Sequence, residues 1–592
     1  RMLKSALLTT CVLLAGGMLQ PLARAAEALP DTPWPLHGLD YDNTRFSPLA
    51  QIDERNVKGL TRAWSLKTGV RGTFQATPIV RDGVMYVSTP FNHVLALDAA
   101  SGTERWRYVH ELKRKDSCCG PANRGVAVDE SHVYIATIDA RVIALDRATG
   151  RIAWEFELTQ GDDGAMEDLG QLLAVPEFAN TTQTGQTGYS ANMAPQVVDG
   201  LVLVGVTGAG YGLHVETTRE GRPQISVAGL GGEKLGLRGY LVALDARTGE
   251  ERWRWHVTEA GWEGGFSATT SYGVPLNRDL DAERAAQSRY AESWRFGGGS
   301  VWTTPAVDRA RGLLYLGTGN PAPQMDDATR PGDNRNSISL VALELATGRL
   351  RWAYQQVPHD RWGYDVASPP VLFELEIDGR RRDVVAQASK VGWLFVHDRD
   401  TGELLRRSAP FVPQSNLFAR PTADGVRIAP SAVGGCSWSP ISVDVGRRRA
   451  YVAAVHWPAM YYSRKLEQPG LPWDTYTFVQ PLADEDDGVL AAIDLDSGAI
   501  AWEAKMERPL IGGVLATAGG LVFVGESDGH FSAFGSASGA RLWSEEMSAG
   551  VNAPPVTFAL DGRQYVTVAV GGNALFGFKT GEELVTYALP SP

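Results

Sequence analysis

The chain has 592 residues, 44% of them hydrophobic, with 65 glycines, 17 tryptophans and a net charge of -12. The hydrophobic share is that of a globular chain, and the acidic balance argues against nucleic acid as a partner while suiting solubility or a basic docking protein. Beyond the first 25 residues no stretch is long and apolar enough to cross a bilayer as a helix.

The start of the chain reads as a secretory signal. Arg1 and Lys4 precede an apolar run from Ser5 to Leu19, and Ala23-Arg24-Ala25 offers a small-residue cleavage site before Ala26. Residues 1–25 are therefore expected to be removed on export to the periplasm; an uncleaved anchor is the alternative. Arg1, Lys4 and Arg24 would leave with the signal, and no acid would, so residues 26–592 are more acidic still.

One phrase then recurs down the chain: Ala-Leu-Asp-x-x-Ser/Thr-Gly-x-x-x-Trp. Copies run Ala96–Trp106, Ala144–Trp154, Ala243–Trp253, Ala342–Trp352, Ala492–Trp502 and Ala533–Trp543, with weaker copies at His397–Leu405, which lacks the Trp, and Phe576–Leu584. The motif glycines are Gly102, Gly150, Gly249, Gly348, Gly402, Gly498, Gly539 and Gly581. The short intervals suit one four-stranded propeller blade per repeat, and the long ones a blade plus an inserted loop. The alternating apolar residues before the Asp make a half-buried strand. Asp and Ser/Thr hydrogen-bond a tight turn, and Gly supplies its positive φ. The Trp lies on the following strand, where its ring fills a gap between blades and its N–H requires a partner. The expectation is all-β: a single eight-bladed β-propeller with tryptophan-docking repeats over residues 26–592.

Four cysteines are present. Cys11 lies in the signal, Cys436 is a lone thiol, and Cys118 and Cys119 are adjacent. Neighbouring Cα atoms sit about 3.8 Å apart across a trans peptide, whereas disulfides prefer about 4.4–6.8 Å. A bridge between neighbours is thus a strained eight-membered ring, permitted by an oxidising compartment; two buried thiols are the alternative. There is no Cys-x-x-Cys-His for covalent haem, and no phosphate-binding glycine loop for a nicotinamide cofactor.

The surroundings of the cysteine pair, Cys118-Cys119-Gly-Pro-Ala-Asn-Arg124-Gly, resemble the pyrroloquinoline-quinone-dependent dehydrogenases, whose fold is an eight-bladed propeller. The likeness covers most of residues 34–585. It includes Trp34-Pro-Leu-His-Gly, Gly297-Gly-Gly-Ser-Val-Trp302, Gly317-Thr-Gly-Asn320-Pro, Arg330-Pro-Gly-Asp-Asn334, Pro358-His-Asp-Arg-Trp362-Gly-Tyr-Asp365 and Pro509–Gly520. Thr89-Pro-Phe-Asn-His-Val leans toward the sugar- and polyol-oxidising branch, and the adjacent cysteines toward the alcohol-oxidising branch.

The resemblance implies a flat quinone with three carboxylates, held between Trp302 as floor and a Cys118–Cys119 ring as ceiling. Arg124 matches a carboxylate contact and offers a rigid donor fork. Ser300, Asn192 and Thr207 fall where the family places small hydrogen-bonding residues. Lys390 matches the basic residue that reaches the quinone oxygens, and Ser437 an amide contact. The implied activity is oxidation of an alcohol, polyol or sugar, with electrons passed to a separate acceptor such as a cytochrome c or a membrane quinone system.

The family also implies a cation, calcium or a lanthanide, acting as Lewis acid, carboxylate and amide oxygens that hold it, and an aspartate that takes the substrate proton. Asn320 matches the amide ligand. The glutamate ligand has no match: one register puts Gly210 there, another Lys234 beside Glu233. The base position after Trp362 is Gly363, and a family glutamate at the cofactor is Gln75. Asp365, two residues on, would face the same way on an extended strand and is the candidate base and second metal ligand. Three explanations stand. Asp365, Glu216 or Glu233 supplies carboxylates from other positions; Lys234 or Lys390 replaces the cation; or the fold is kept and the reaction lost. The sequence thus supports an exported quinoprotein dehydrogenase, with a non-catalytic propeller scaffold as the alternative and a quinone-storing protein as a third reading.

Overall fold

The computed structural model describes residues 29–113, 119–159, 181–185, 189–207, 213–219, 222–231, 236–465 and 475–590. The signal-like residues 1–25, Cys118, Gly210, Glu233 and Lys234 lie outside the described residues. Strand accounts for 44% of the chain and helix for 4%, so the protein is all-β, as the repeats require.

The described strands form nine sheets. Seven have four antiparallel strands, an eighth has four plus the short parallel strand Phe46–Ser47, and the ninth has six. The repeat shows why each four-stranded unit forms. In Val94–Asp98 the four apolar residues are all buried, while the next strand, Glu104–Tyr108, is exposed or half-buried and forms an outer edge. Between them Asp98 accepts from the Ser101 N–H at 3.1 Å and hydroxyl at 3.0 Å, while the Gly102 N–H returns to the Asp98 carbonyl at 2.8 Å. Gly102 has φ +73°, a region a side chain disfavours.

The repeat tryptophans then bind one unit to the next. Trp106 donates its indole N–H to the Arg147 carbonyl at 3.0 Å, and its ring lies where a Cβ on Gly150 would be, 2.5 Å from that position. The same pairing joins Trp154 to Ala246 and Gly249, Trp253 to Leu345 and Gly348, Trp352 to Arg399 and Gly402, and Trp502 to Ser536 and Gly539. Trp64 does the same to Ala99 and Gly102, although it belongs to no complete copy of the phrase. The copy without a Trp is instructive. Arg406 stands four residues after Gly402, and its guanidinium donates to the Leu495 carbonyl at 2.6 Å, where an indole would donate.

The last copy is not a turn of this kind. Gly581 opens the strand Gly581–Ala588 rather than a tight turn, and the residues before it, Ala574–Phe576, form a 3-10 turn. The strand Gly581–Ala588 instead pairs antiparallel with Thr61–Gly72, Thr61 facing Ala588, so the two ends of the chain share one sheet.

Buried Trp34, Phe74, Val87, Val133, Phe523 and Val566 form one continuous apolar cluster across several of these sheets. The six-stranded sheet comes from the long insertions: Leu213–Arg219 and Arg222–Gly231 join Thr475–Pro481 and Ala459–Lys465, segments far apart in sequence.

Candidate functional site

Glycine-rich turns carry the site. Gly298 and Gly299 have φ +74° and +79°, and a Cβ on Gly299 would lie 2.4 Å from Val257. That turn delivers Ser300 and Trp302. Gly435, φ +63°, passes so close to Lys390 that a Cβ there would sit 2.1 Å from the Lys390 carbonyl oxygen; this turn delivers Ser437 and Trp438. Arg124 follows the Gly120-Pro121 turn, its main chain held by Thr77 on one side and Asn192 on the other.

One cavity collects most of the residues the sequence singled out. Gln75, Cys119, Arg124, Asn192, Thr207, Trp302, Lys390 and Ser437 all line it. Arg124 donates to Asn192 Oδ1 at 2.6 Å, and its guanidinium carbon lies 4.9 Å from the Trp302 ring centre and 5.2 Å from that of Trp438. The Lys390 ammonium lies 5.8 Å from the Trp302 ring centre. Cys119 is disulfide-bonded and Cys436 is a buried free thiol, whose pKa burial pushes up to about 12.

Ser300 is buried and is not a lining residue; its carbonyl accepts from the Gly319 N–H at 2.7 Å. Asn320 and Asp365 lie behind the lining. Asp365 Oδ1 accepts from Asn320 Nδ2 at 2.5 Å and from the Lys390 ammonium at 3.2 Å, and Oδ2 accepts from the Trp302 N–H at 3.1 Å. Lys390 donates also to the Gly363 carbonyl at 3.1 Å. The expectation that residues 363 and 365 share a strand face fails. The segment is not a strand, and Gly363 has φ +91°, so the alternation of extended backbone does not apply. Glu216 falls in the strand Leu213–Arg219.

Sequence reasoning missed Trp438, Phe576, Gln324 and Asn573, which also line the cavity. Trp438 stacks on Phe576, ring centres 5.6 Å apart. Its position directly after Ser437 was the available signal; Phe576 had been assigned to a repeat and carried none.

The lining is electropositive. Two cations, Arg124 and Lys390, and no Asp or Glu stand among its described residues, and Asp365 neutralises Lys390 from behind. Nearby His37 is buried, and burial followed by Arg45 and Arg124 lowers its pKa to about 3, so it is neutral. Asp360 is also buried, and burial pushes its pKa up to about 6, with Arg330 opposing and Asp365 adding to the rise. Its carboxylate accepts the main-chain N–H groups of Trp362, Gly363 and Tyr364 and so shapes the turn beneath Lys390.

Asp-Gly-Trp repeats together with a cationic cavity lined by Trp302 and Trp438 mark a quinoprotein-type β-propeller. The chain belongs to the PQQ glucose/ethanol/alcohol dehydrogenase β-propeller family, whose model matches residues 34–416 and 405–566. It is 33% identical over 590 residues to a quinohemoprotein alcohol dehydrogenase of Comamonas testosteroni, covering 93% of this chain and 74% of that protein. It is 30% identical over 574 residues to a quinoprotein ethanol dehydrogenase of Pseudomonas putida, covering 90% of this chain and 85% of that one. Among solved structures, the Comamonas enzyme superposes with a TM-score of 0.76 at 29% identity, over 96% of this chain and 82% of that one. A europium-containing methanol dehydrogenase superposes with a TM-score of 0.75 at 27% identity, over 94% and 98%.

The lining fits pyrroloquinoline quinone. Two indole faces suit a flat ring, two cations suit carboxylates, and Gln75 Oε1 and Trp438 Nε1 are buried polar atoms with no hydrogen-bond partner in the structure. A hard cation fits less well. It takes six to eight oxygens, whereas the described residues bring no group of three carboxylate, His or Cys side chains together. Asn320 Oδ1 is a buried acceptor without a partner, but Asp365 is already paired with an ammonium.

Proposed function

We propose that this chain is a quinoprotein dehydrogenase that oxidises a small alcohol, polyol or sugar and passes the electrons to a separate acceptor, such as a cytochrome c or a membrane quinone system. The observation that carries the reading is the convergence of Arg124, Lys390, Trp302 and Cys119 on one cavity, in a family of such dehydrogenases. In this reading the eight four-stranded units are eight blades around one axis, docked by their tryptophans into a single domain. The chain works in the periplasm, to which residues 1–25 direct it.

Pyrroloquinoline quinone, when bound, supplies a two-electron acceptor. Trp302 supports the flat ring, and the Arg124 guanidinium now over that indole moves to a carboxylate at the ring edge. Asn192 and Thr207 offer neutral hydrogen bonds, and Lys390 places positive charge beside the quinone oxygens. The bridge at Cys119 runs to Cys118 and forms the ceiling. In support, Cys119 is disulfide-bonded and Cys436 is free. In this reading the substrate proton reaches Asp365 through Lys390, which lines the cavity and donates to that carboxylate from its ammonium.

Reconstitution of the purified protein with the quinone, a dye acceptor and a panel of alcohols and sugars tests the reading. Reduction of the dye is expected, and Asp365→Asn should lower turnover by about 10²–10⁴-fold while the quinone still binds. A protein that binds the quinone yet never reduces the dye would be a storage protein; one that does not bind it would be a scaffold.

A further inference from the structure

The surroundings of Lys390 resemble the seat of a cation more than the tether of a substrate. The ammonium is buried, its side chain 9% exposed, with the Asp365 carboxylate at 3.2 Å and the Gly363 carbonyl at 3.1 Å. Asn320 closes the set through the same Asp365 oxygen. A carboxylate and a main-chain carbonyl are oxygen donors that would hold a hard cation; here they hold a lysine, while Asn320 donates its amide N–H to the same carboxylate.

The neighbouring residues fix this arrangement. The residue after Trp362 cannot carry a carboxylate in this backbone. Gly363 has φ +91°, and a Cβ there would lie 2.6 Å from Met325 and 2.7 Å from Ala432. Without a side chain it contributes its carbonyl, which Lys390 takes. Gly319 likewise lacks the Cβ that would sit 2.6 Å from Asp365 Oδ2, and so admits the carboxylate to the Trp302 N–H. The main chain at Gly435 packs on the Lys390 carbonyl and leaves the backbone little play. A metal ion entering between Asn320 and Asp365 would meet the ammonium at short range in a buried setting, where like charges repel strongly.

We propose that the Lys390 ammonium, seated by Asp365 and the Gly363 carbonyl, stands where a divalent or trivalent cation would otherwise sit, so that this protein binds its quinone without a metal ion. The inference rests on the quinone-binding reading above.

The test is a titration of chelator-treated full-length protein with pyrroloquinoline quinone, followed by quenching of tryptophan fluorescence. It is repeated with added calcium and with added lanthanum. Affinity is expected to stay within about threefold across the three conditions. Lys390→Met should weaken it by about 100-fold or more, the usual result of removing one partner from a buried charge pair, and Lys390→Arg should retain most of it. Terbium should give no saturable, tryptophan-sensitised emission from the wild-type protein. Tightening of quinone binding by about tenfold or more on adding either metal would overturn the proposal. So would stoichiometric terbium emission that Asp365→Asn abolishes. The metal arms use the wild-type protein and so do not depend on whether Lys390→Met folds. A protein that binds no quinone with or without metal would overturn the functional reading and this inference together.

Discussion

Two sets of tryptophans do different work with the same side chain. The repeat tryptophans, such as Trp253, donate their N–H groups to main-chain carbonyls and press their rings onto glycines of the next repeat. Trp302 donates instead to a carboxylate, Asp365, and turns its face to two cations. A neutral acceptor and an apolar contact satisfy an indole for packing. An anion behind the ring and cations before it leave a polarised face available to a charged, flat ligand. What distinguishes a structural tryptophan from a functional one here is the charge of its neighbours.

The largest effect expected from this contrast is on the packing side. Trp253→Ala removes a buried ring and its hydrogen bond, and should cost about 3–5 kcal/mol of stability, read as a lowered denaturation midpoint. The quinone affinity of the molecules that remain folded should not change. If Trp253→Ala abolishes binding at a temperature where the protein is folded, the two sets are coupled more closely than their separate contacts indicate.

Next in size is a pH effect from the turn beneath Lys390. The folded pKa of Asp360 is raised to about 6. Between pH 4 and 6 the folded state therefore holds a proton that the unfolded state has released. Asp360 favours folding at low pH, and this contribution fades as pH rises through 6, by up to about 3 kcal/mol. Asp360→Asn should remove that slope, so the stability of the variant relative to wild type should rise from pH 4 to 6 in thermal melts. His37, whose folded pKa is lowered to about 3, acts in the opposite sense, adding stability as pH rises toward 6.5. A wild-type profile without the Asp360 component would remove the argument that burial holds this carboxyl protonated at the turn.

Trp302→Leu should weaken the quinone by about 2 kcal/mol, from lost stacking and buried area, seen as a roughly 30-fold higher dissociation constant in a fluorescence titration. Its melting temperature should fall by less than that of Trp253→Ala. The smallest effect is expected at Arg406, the residue that replaces an indole. Arg406→Ala should cost about 1–2 kcal/mol, the scale of one hydrogen bond from a charged group, and should leave quinone binding unchanged.

The repeat was legible because its residues act locally. Asp98, Ser101 and Gly102 build their turn from their own main chain, so type and spacing alone announce a strand, a turn and a strand. The same local logic failed at Gly581, which has the spacing but not the turn, and it overlooked Trp64 and Arg406, whose roles depend on a partner in the next unit. The candidate pocket was legible for a different reason: Arg124, Trp302 and Lys390 sit in motifs whose order along the chain resembles a known family.

The sequence by itself determined that this is an all-β repeat protein of the quinone-dependent dehydrogenase family, and it marked most of the residues that line one cavity. It also exposed the missing carboxylates, because an absent side chain is visible in sequence. Only the tertiary structure decided which groups meet around Asp365. Lys390, Asn320 and the segment that carries both Gly363 and Asp365 come from three separate loops. Their meeting is a property of three-dimensional distance and charge, which no spacing along the chain encodes.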